Sequence, residues 1–156
     1  MSALVVKDPV CGMQVVSAQF VTEYLDSRYA FCSTQCRDRF LANPHVYIGL
    51  PGQKALKQEG LEVLRQQRLC ATQPLSPSQT NGLIEALRAM MGIKSVQING
   101  DEIEITYDLL QATAEQIETK MEEIGVQLGE GWSQQLRRAF VHYEEELEVG
   151  SLEVHK

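Results

Sequence analysis

The chain has 156 residues, 44% hydrophobic and 22% charged, enough for one medium or two small globular domains. Its net charge of −7 opposes a phosphate backbone, which makes nucleic acid a poor partner. No window approaches the roughly 20 apolar residues of a membrane span. The opening residues lack the basic start, apolar core and cleavage site of a leader, so a cytoplasmic location is the default expectation. In such a reducing compartment, four cysteines favour metal or thiol chemistry over a disulfide framework.

The composition divides the chain near Gly49-Leu50-Pro51-Gly52. Residues 1–50 balance their charges, and the whole excess of acid lies beyond them. Within 1–50, Cys11 stands in Asp8-Pro9-Val10-Cys11-Gly12-Met13. Gln19–Tyr24 and Arg28–Phe31 read as two short strands around a Leu25-Asp26-Ser27 turn. Phe20, Thr22 and Tyr24 would share one strand face. Cys32 follows directly, and Ser33 offers the N-cap of a helix that runs to about Ala42 and ends at Asn43-Pro44. Cys36 then falls at the third helical position. Both thiols lie at the positive end of a helix dipole, a setting that favours the thiolate form metals need.

Three thiols brought together by a hairpin and a helix start form a soft-metal site. Asp8-Pro-Val-Cys-Gly-Met13, then Tyr29-Ala-Phe-Cys-Ser-Thr-Gln-Cys36, then Phe40 and Asn43-Pro44 with Tyr47, closely resemble the YHS family of small metal-binding domains, related to treble-clef-like modules. The resemblance covers about the first fifty residues and implies that Cys11, Cys32 and Cys36 bind one soft metal ion, Cu(I) or Zn(II). Met13, through its thioether, and His45, just past the helix, are candidate additional ligands. A closed structural zinc site that only staples a small domain stays open beside a carrier site.

Residues 51–65 read as a linker or short helix, and 66–129 as a second domain. Its first strand, around Arg68–Thr72, puts Cys70 between Leu69 and Ala71 and reads as holding a buried core thiol. Ser76-Pro77-Ser78-Gln79 is a capping box with proline at the first helical position, and Gly92 stands at the helix end. Leu83, Ile84, Leu87, Met90 and Met91 form its apolar stripe. Ile93–Ile98 and Glu102–Tyr107 are strands about Asn99-Gly100, a strong hairpin signal. Thr113-Ala-Glu-Gln116 opens a second helix, with Ile117, Met121 and Ile124 as its buried stripe. Val126–Leu128 would be a fourth strand.

The order is the split βαβ of ferredoxin-like folds. Gly92-Ile-Lys-Ser-Val96 and Ala114–Gly125 resemble heavy-metal-associated domains, which bind metal through a Cys-x-x-Cys after the first strand. Here that loop is Thr72–Ser78 and has no cysteine, so this domain is expected to bind no metal. The remainder, 130–156, is an amphipathic helix and tail. Its stripe of Trp132, Leu136, Phe140, Tyr143 and Leu147 would be buried on the open face of the sheet, or against a second chain as a homodimer.

The expected fold is therefore α+β: a treble-clef-like cysteine module, a βαββαβ domain and a C-terminal amphipathic helix. No enzyme is expected. Three residues separate Cys32 from Cys36 where a thioredoxin-type motif has two, and neither a Cys–His–acid arrangement nor a phosphate loop is present. The two resemblances imply a soluble heavy-metal-handling protein that acts as carrier, sensor or accessory to transport. A metal-transporting P-type ATPase or another metal-handling protein is the implied partner. The alternative is a structural-zinc module whose function is protein binding through the second domain.

Overall fold

The computed structural model describes residues 5–129 and 132–154; within the last helix, the side chains of Trp132, Ser133, Gln134 and Leu136 are outside the description. The described chain packs as two units, one of residues 63–148 and one of the remainder, up to Glu62 and from Val149. It is α+β.

The first unit begins with a hairpin that the sequence reading did not anticipate. Strands β1 (Val5–Lys7) and β2 (Gln14–Val16) pair antiparallel, Val5 opposite Val16 and Lys7 opposite Gln14. Cys11 lies in their connection. Gly12 there has φ +80°, the left-handed region that favours glycine. Strands β3 (Thr22–Tyr24) and β4 (Ser27–Tyr29) form the second hairpin, shorter than expected. Leu25 and Asp26 both take positive φ, 49° and 63°, the backbone of a two-residue type I′ turn. Phe20 lies before the strand with φ 43° and is 39% exposed, so it does not share a strand face with Thr22 and Tyr24 as expected.

Helix α1 (Thr34–Ala42) follows with Ser33 as N-cap residue, and α2 (Pro44–Tyr47) uses proline in its first turn. Phe40 of α1 is fully buried and holds the unit together. Its ring lies 4.9 Å from that of Tyr29, 5.4 Å from Phe31, 5.8 Å from Tyr24 and 6.4 Å from Tyr47. Residues 51–62 form turns packed into this unit, with Ala55 fully buried and Lys57 N–H donating to Val46 O at 3.0 Å. Neither a linker nor a short helix forms there.

The second unit is a three-stranded antiparallel sheet in the order β5-β7-β6, built from Leu64–Cys70, Glu102–Asp108 and Ile93–Asn99. Helix α3 (Pro77–Arg88) lies between β5 and β6, and α4 (Ala114–Glu123) follows β7. Both helices start with complete capping boxes, at Ser76/Gln79 and Thr113/Gln116. The expected fourth strand is reduced to one bridge, Ala71 to Leu128, beside β5. It extends the split-βαβ order without a ladder of its own.

Ile103, Ile105 and Tyr107 of β7 are buried, as are Leu83 and Leu87 of α3 and Ile117 and Met121 of α4. Ile124 is 41% exposed and lies outside this core, contrary to expectation. Cys70 is exposed as well. Strand alternation sends Leu69 and Ala71 inward and leaves Cys70 on the other face, opposite Glu102.

Helix α5 (Trp132–Ser151) corrects a further expectation. Phe140, Tyr143 and Leu147 are 57–60% exposed, while Glu145, on another side of the helix, is buried. Glu145 accepts hydrogen bonds from the Tyr107 hydroxyl and, at 2.7 Å, from Ala114 N–H at the start of α4. Tyr107 belongs to the helix-covered face of the sheet, so α5 docks there and the opposite face stays open. Trp132 and Leu136 of the expected stripe lie outside the described side chains.

Candidate metal centre

Three elements bring the three predicted thiols together. The β1–β2 connection supplies Cys11, the residue after β4 and Ala30-Phe31 is Cys32, and the first turn of α1 supplies Cys36. Cys32 Sγ lies 3.5 Å from both Cys11 Sγ and Cys36 Sγ. Cys36 is buried, whereas Cys11 and Cys32 are partly open to solvent. Ser33 does not use its hydroxyl as a helix cap; the oxygen is 3.6 Å from Cys32 Sγ.

A carboxylate completes the group. The ligand atoms of Asp8, Cys11, Cys32 and Cys36 all lie within 4.8 Å of one another. Asp8 is fully buried. Its Oδ1 accepts from Val10 N–H at 2.7 Å and Cys11 N–H at 3.2 Å, and its Oδ2 accepts from Cys32 N–H at 2.8 Å. The knuckle is closed further by Asp8 N–H to Met13 O at 2.8 Å and Gly12 N–H to Asp8 O at 2.9 Å. Sequence reasoning quoted Asp8 in its motif but gave it no role. The available signal was an aspartate followed by proline, which folds its carboxylate onto the N–H groups two and three residues on.

The expected additional ligands fare differently. His45 is engaged elsewhere: Nε2 is 2.8 Å from the Tyr24 hydroxyl and Nδ1 is 3.3 Å from Ile48 O. Those bonds engage both ring nitrogens, and the clustered ligand atoms are those of Asp8, Cys11, Cys32 and Cys36. Met13 is 48% exposed, and its backbone hydrogen-bonds the Cys11 sulfur.

Proton affinities differ sharply within the cluster. The Cys36 thiol, hydrogen-bonded to Cys11, lowers the Cys11 pKa to about 7, against the opposing effects of burial and the Asp8 charge. Burial pushes Cys32 up to about 11. Cys36 is pushed well above the usual thiol range, first by that same hydrogen bond and then by burial. Cys11 is therefore the thiol of the three that gives up its proton most readily.

The spacing fits a thiolate-bound metal. Tetrahedral zinc with sulfurs at about 2.3 Å sets them roughly 3.8 Å apart, and a trigonal ion at a similar bond length sets them about 4 Å apart. Gaps of 3.5 Å need to open only by a few tenths of an ångström. The cluster is compatible with metal binding.

Comparison with known families agrees with this geometry: the family model of the YHS domain matches residues 6–50. This segment carries all three clustered cysteines, Asp8 and Phe40. No curated protein and no solved structure is significantly similar to the chain. Among the described residues, no helix is long and apolar enough to cross a membrane.

Proposed function

We propose that the protein binds one soft metal ion, Cu(I) ahead of Zn(II), through Cys11, Cys32 and Cys36, and handles it as a carrier, sensor or accessory to metal transport. The observation that carries this reading is the convergence of three sulfurs at 3.5 Å gaps on a helix start. No catalytic role is proposed. The chemistry is ligand exchange, in which the metal displaces thiol protons and later leaves to another thiolate. Cys11 and Cys32, partly open to solvent, are the sulfurs an incoming thiolate would reach first.

The structural-zinc reading is weaker for a physical reason. A domain that needs its metal to fold lacks a core of its own. Here Phe40 packs among four other aromatic rings, and Asp8 ties the knuckle to Cys32 N–H, so the unit has an apolar core and a polar tie of its own. The second unit, similar in its local phrases to heavy-metal-associated domains but without their cysteines, would serve as a docking surface for another metal-handling protein, such as a P-type ATPase, or for a second copy of the chain.

Native mass spectrometry of the reduced chain with Cu(I) and with Zn(II) tests the reading. One ion per chain is expected, and none in the Cys11→Ser/Cys32→Ser/Cys36→Ser variant. Equal occupancy in that variant would refute it. Chelator competition separates carrier from staple: metal should leave while the circular dichroism of the chain holds. Simultaneous loss of metal and fold would favour the structural reading.

A further inference from the structure

Asp8 is the one member of the cluster whose role the thiol chemistry leaves open. A buried carboxylate within 4.8 Å of three sulfurs has the position of a fourth ligand. Its hydrogen bonds argue otherwise. A carboxylate has about four lone-pair sites, and three of them are taken by Val10, Cys11 and Cys32 N–H groups. Oδ1 is engaged twice, so turning it toward a metal would strip Val10 or Cys11 N–H of its acceptor. Oδ2 keeps one lone pair beside the bond that holds Cys32 N–H, and any turn that aimed it at a metal would loosen that bond.

Ligand softness points the same way, since Cu(I) favours thiolates and gains little from a carboxylate oxygen. The bonds that Asp8 does make reach the backbone of two of the three cysteines, on segments 21 residues apart. They fix where Cys11 and Cys32 present their sulfurs before any ion arrives.

We infer that Asp8 is a positioning residue and not a ligand, so that the site is a three-sulfur cage that accepts Cu(I) fully and leaves Zn(II) one ligand short. This rests on the metal-binding reading above and adds to it the coordination number and the source of metal preference. A residue of this kind typically changes metal affinity by about 10–100-fold when replaced.

The test uses the full reduced chain with Cu(I) as the probe. In the wild type, amide hydrogen exchange of Val10, Cys11 and Cys32 should stay as slow after Cu(I) loading as before. X-ray absorption should give three sulfur scatterers and no oxygen. Asp8→Asn keeps the size but puts an NH2 group in place of one oxygen, so at least one of the three N–H bonds is lost. Cu(I) should then pass to a competing chelator with about tenfold weaker retention, still with three sulfurs. An oxygen scatterer that vanishes in Asp8→Asn would overturn the inference. So would loss of Cys32 amide protection on loading, a measurement that stands even if the variant fails to fold. Unchanged retention in a folded Asp8→Asn variant would overturn it too. If the wild type takes up no Cu(I) at all, the metal-binding reading itself has failed, an outcome distinct from a four-coordinate site.

Discussion

The three clustered thiols are chemically unequal, and the inequality is testable one residue at a time. Thiolate is the nucleophile in alkylation, so the rate at each cysteine follows its ionised fraction. Cys11, lowered to about 7 from an ordinary 9.0 mainly by the Cys36 hydrogen bond, should react progressively faster up to about pH 7 and then level off. Cys32, raised to about 11 by burial, should still be accelerating well above that pH. Iodoacetamide labelling of the metal-free chain, read by peptide mapping across pH, checks this. A common profile for both cysteines would contradict it.

Two elements carry local features with predictable energies. The β3–β4 turn holds Leu25 and Asp26 at positive φ, where asparagine and glycine are better suited than leucine. Leu25 is 68% exposed, so its side chain contributes little packing to offset the strain. Leu25→Asn should stabilise the chain by about 0.5–1 kcal/mol, measured as a higher urea midpoint. A lower midpoint would show that the leucine makes a contact worth more than the turn preference. Helix α5 depends on a buried polar anchor. Removing Glu145 leaves the Tyr107 hydroxyl and the Ala114 N–H without that acceptor. Glu145→Ala should therefore cost about 2–4 kcal/mol, with the loss read by thermal or urea unfolding. Glu118 adds a second anchor through Arg138 at 3.1 Å and His142 at 2.6 Å.

At the scale of the whole molecule, the polar docking of α5 leaves Phe140, Tyr143 and Leu147 uncovered. They recur at three- and four-residue steps, the spacing of a helix–helix seam. If this face joins two copies of the chain, Phe140→Ser/Leu147→Ser should shift the mass in sedimentation from dimer to monomer. The fold should be unchanged, since neither side chain is buried. A wild type that stays monomeric at high concentration would remove the dimer reading and leave the face to a different partner.

The sequence by itself determined which residues form the helices of the second unit, because capping boxes and the Asn99-Gly100 turn act over three or four residues and need no distant partner. It also determined the cysteine trio, since a thiol spacing is written in the chain. Only the tertiary structure decided what these local pieces face. Cys70 lies between two apolar residues and still points outward, because strand phase, set by pairing with β7, outweighs its neighbours' character. The apolar stripe of α5 lost the inward position to Glu145, whose acceptors are met by a tyrosine and an N–H 38 and 31 residues away. His45 was drawn to Tyr24 and away from the sulfurs. Asp8 found its third donor 24 residues along the chain, and only the folded hairpins bring that N–H to the carboxylate.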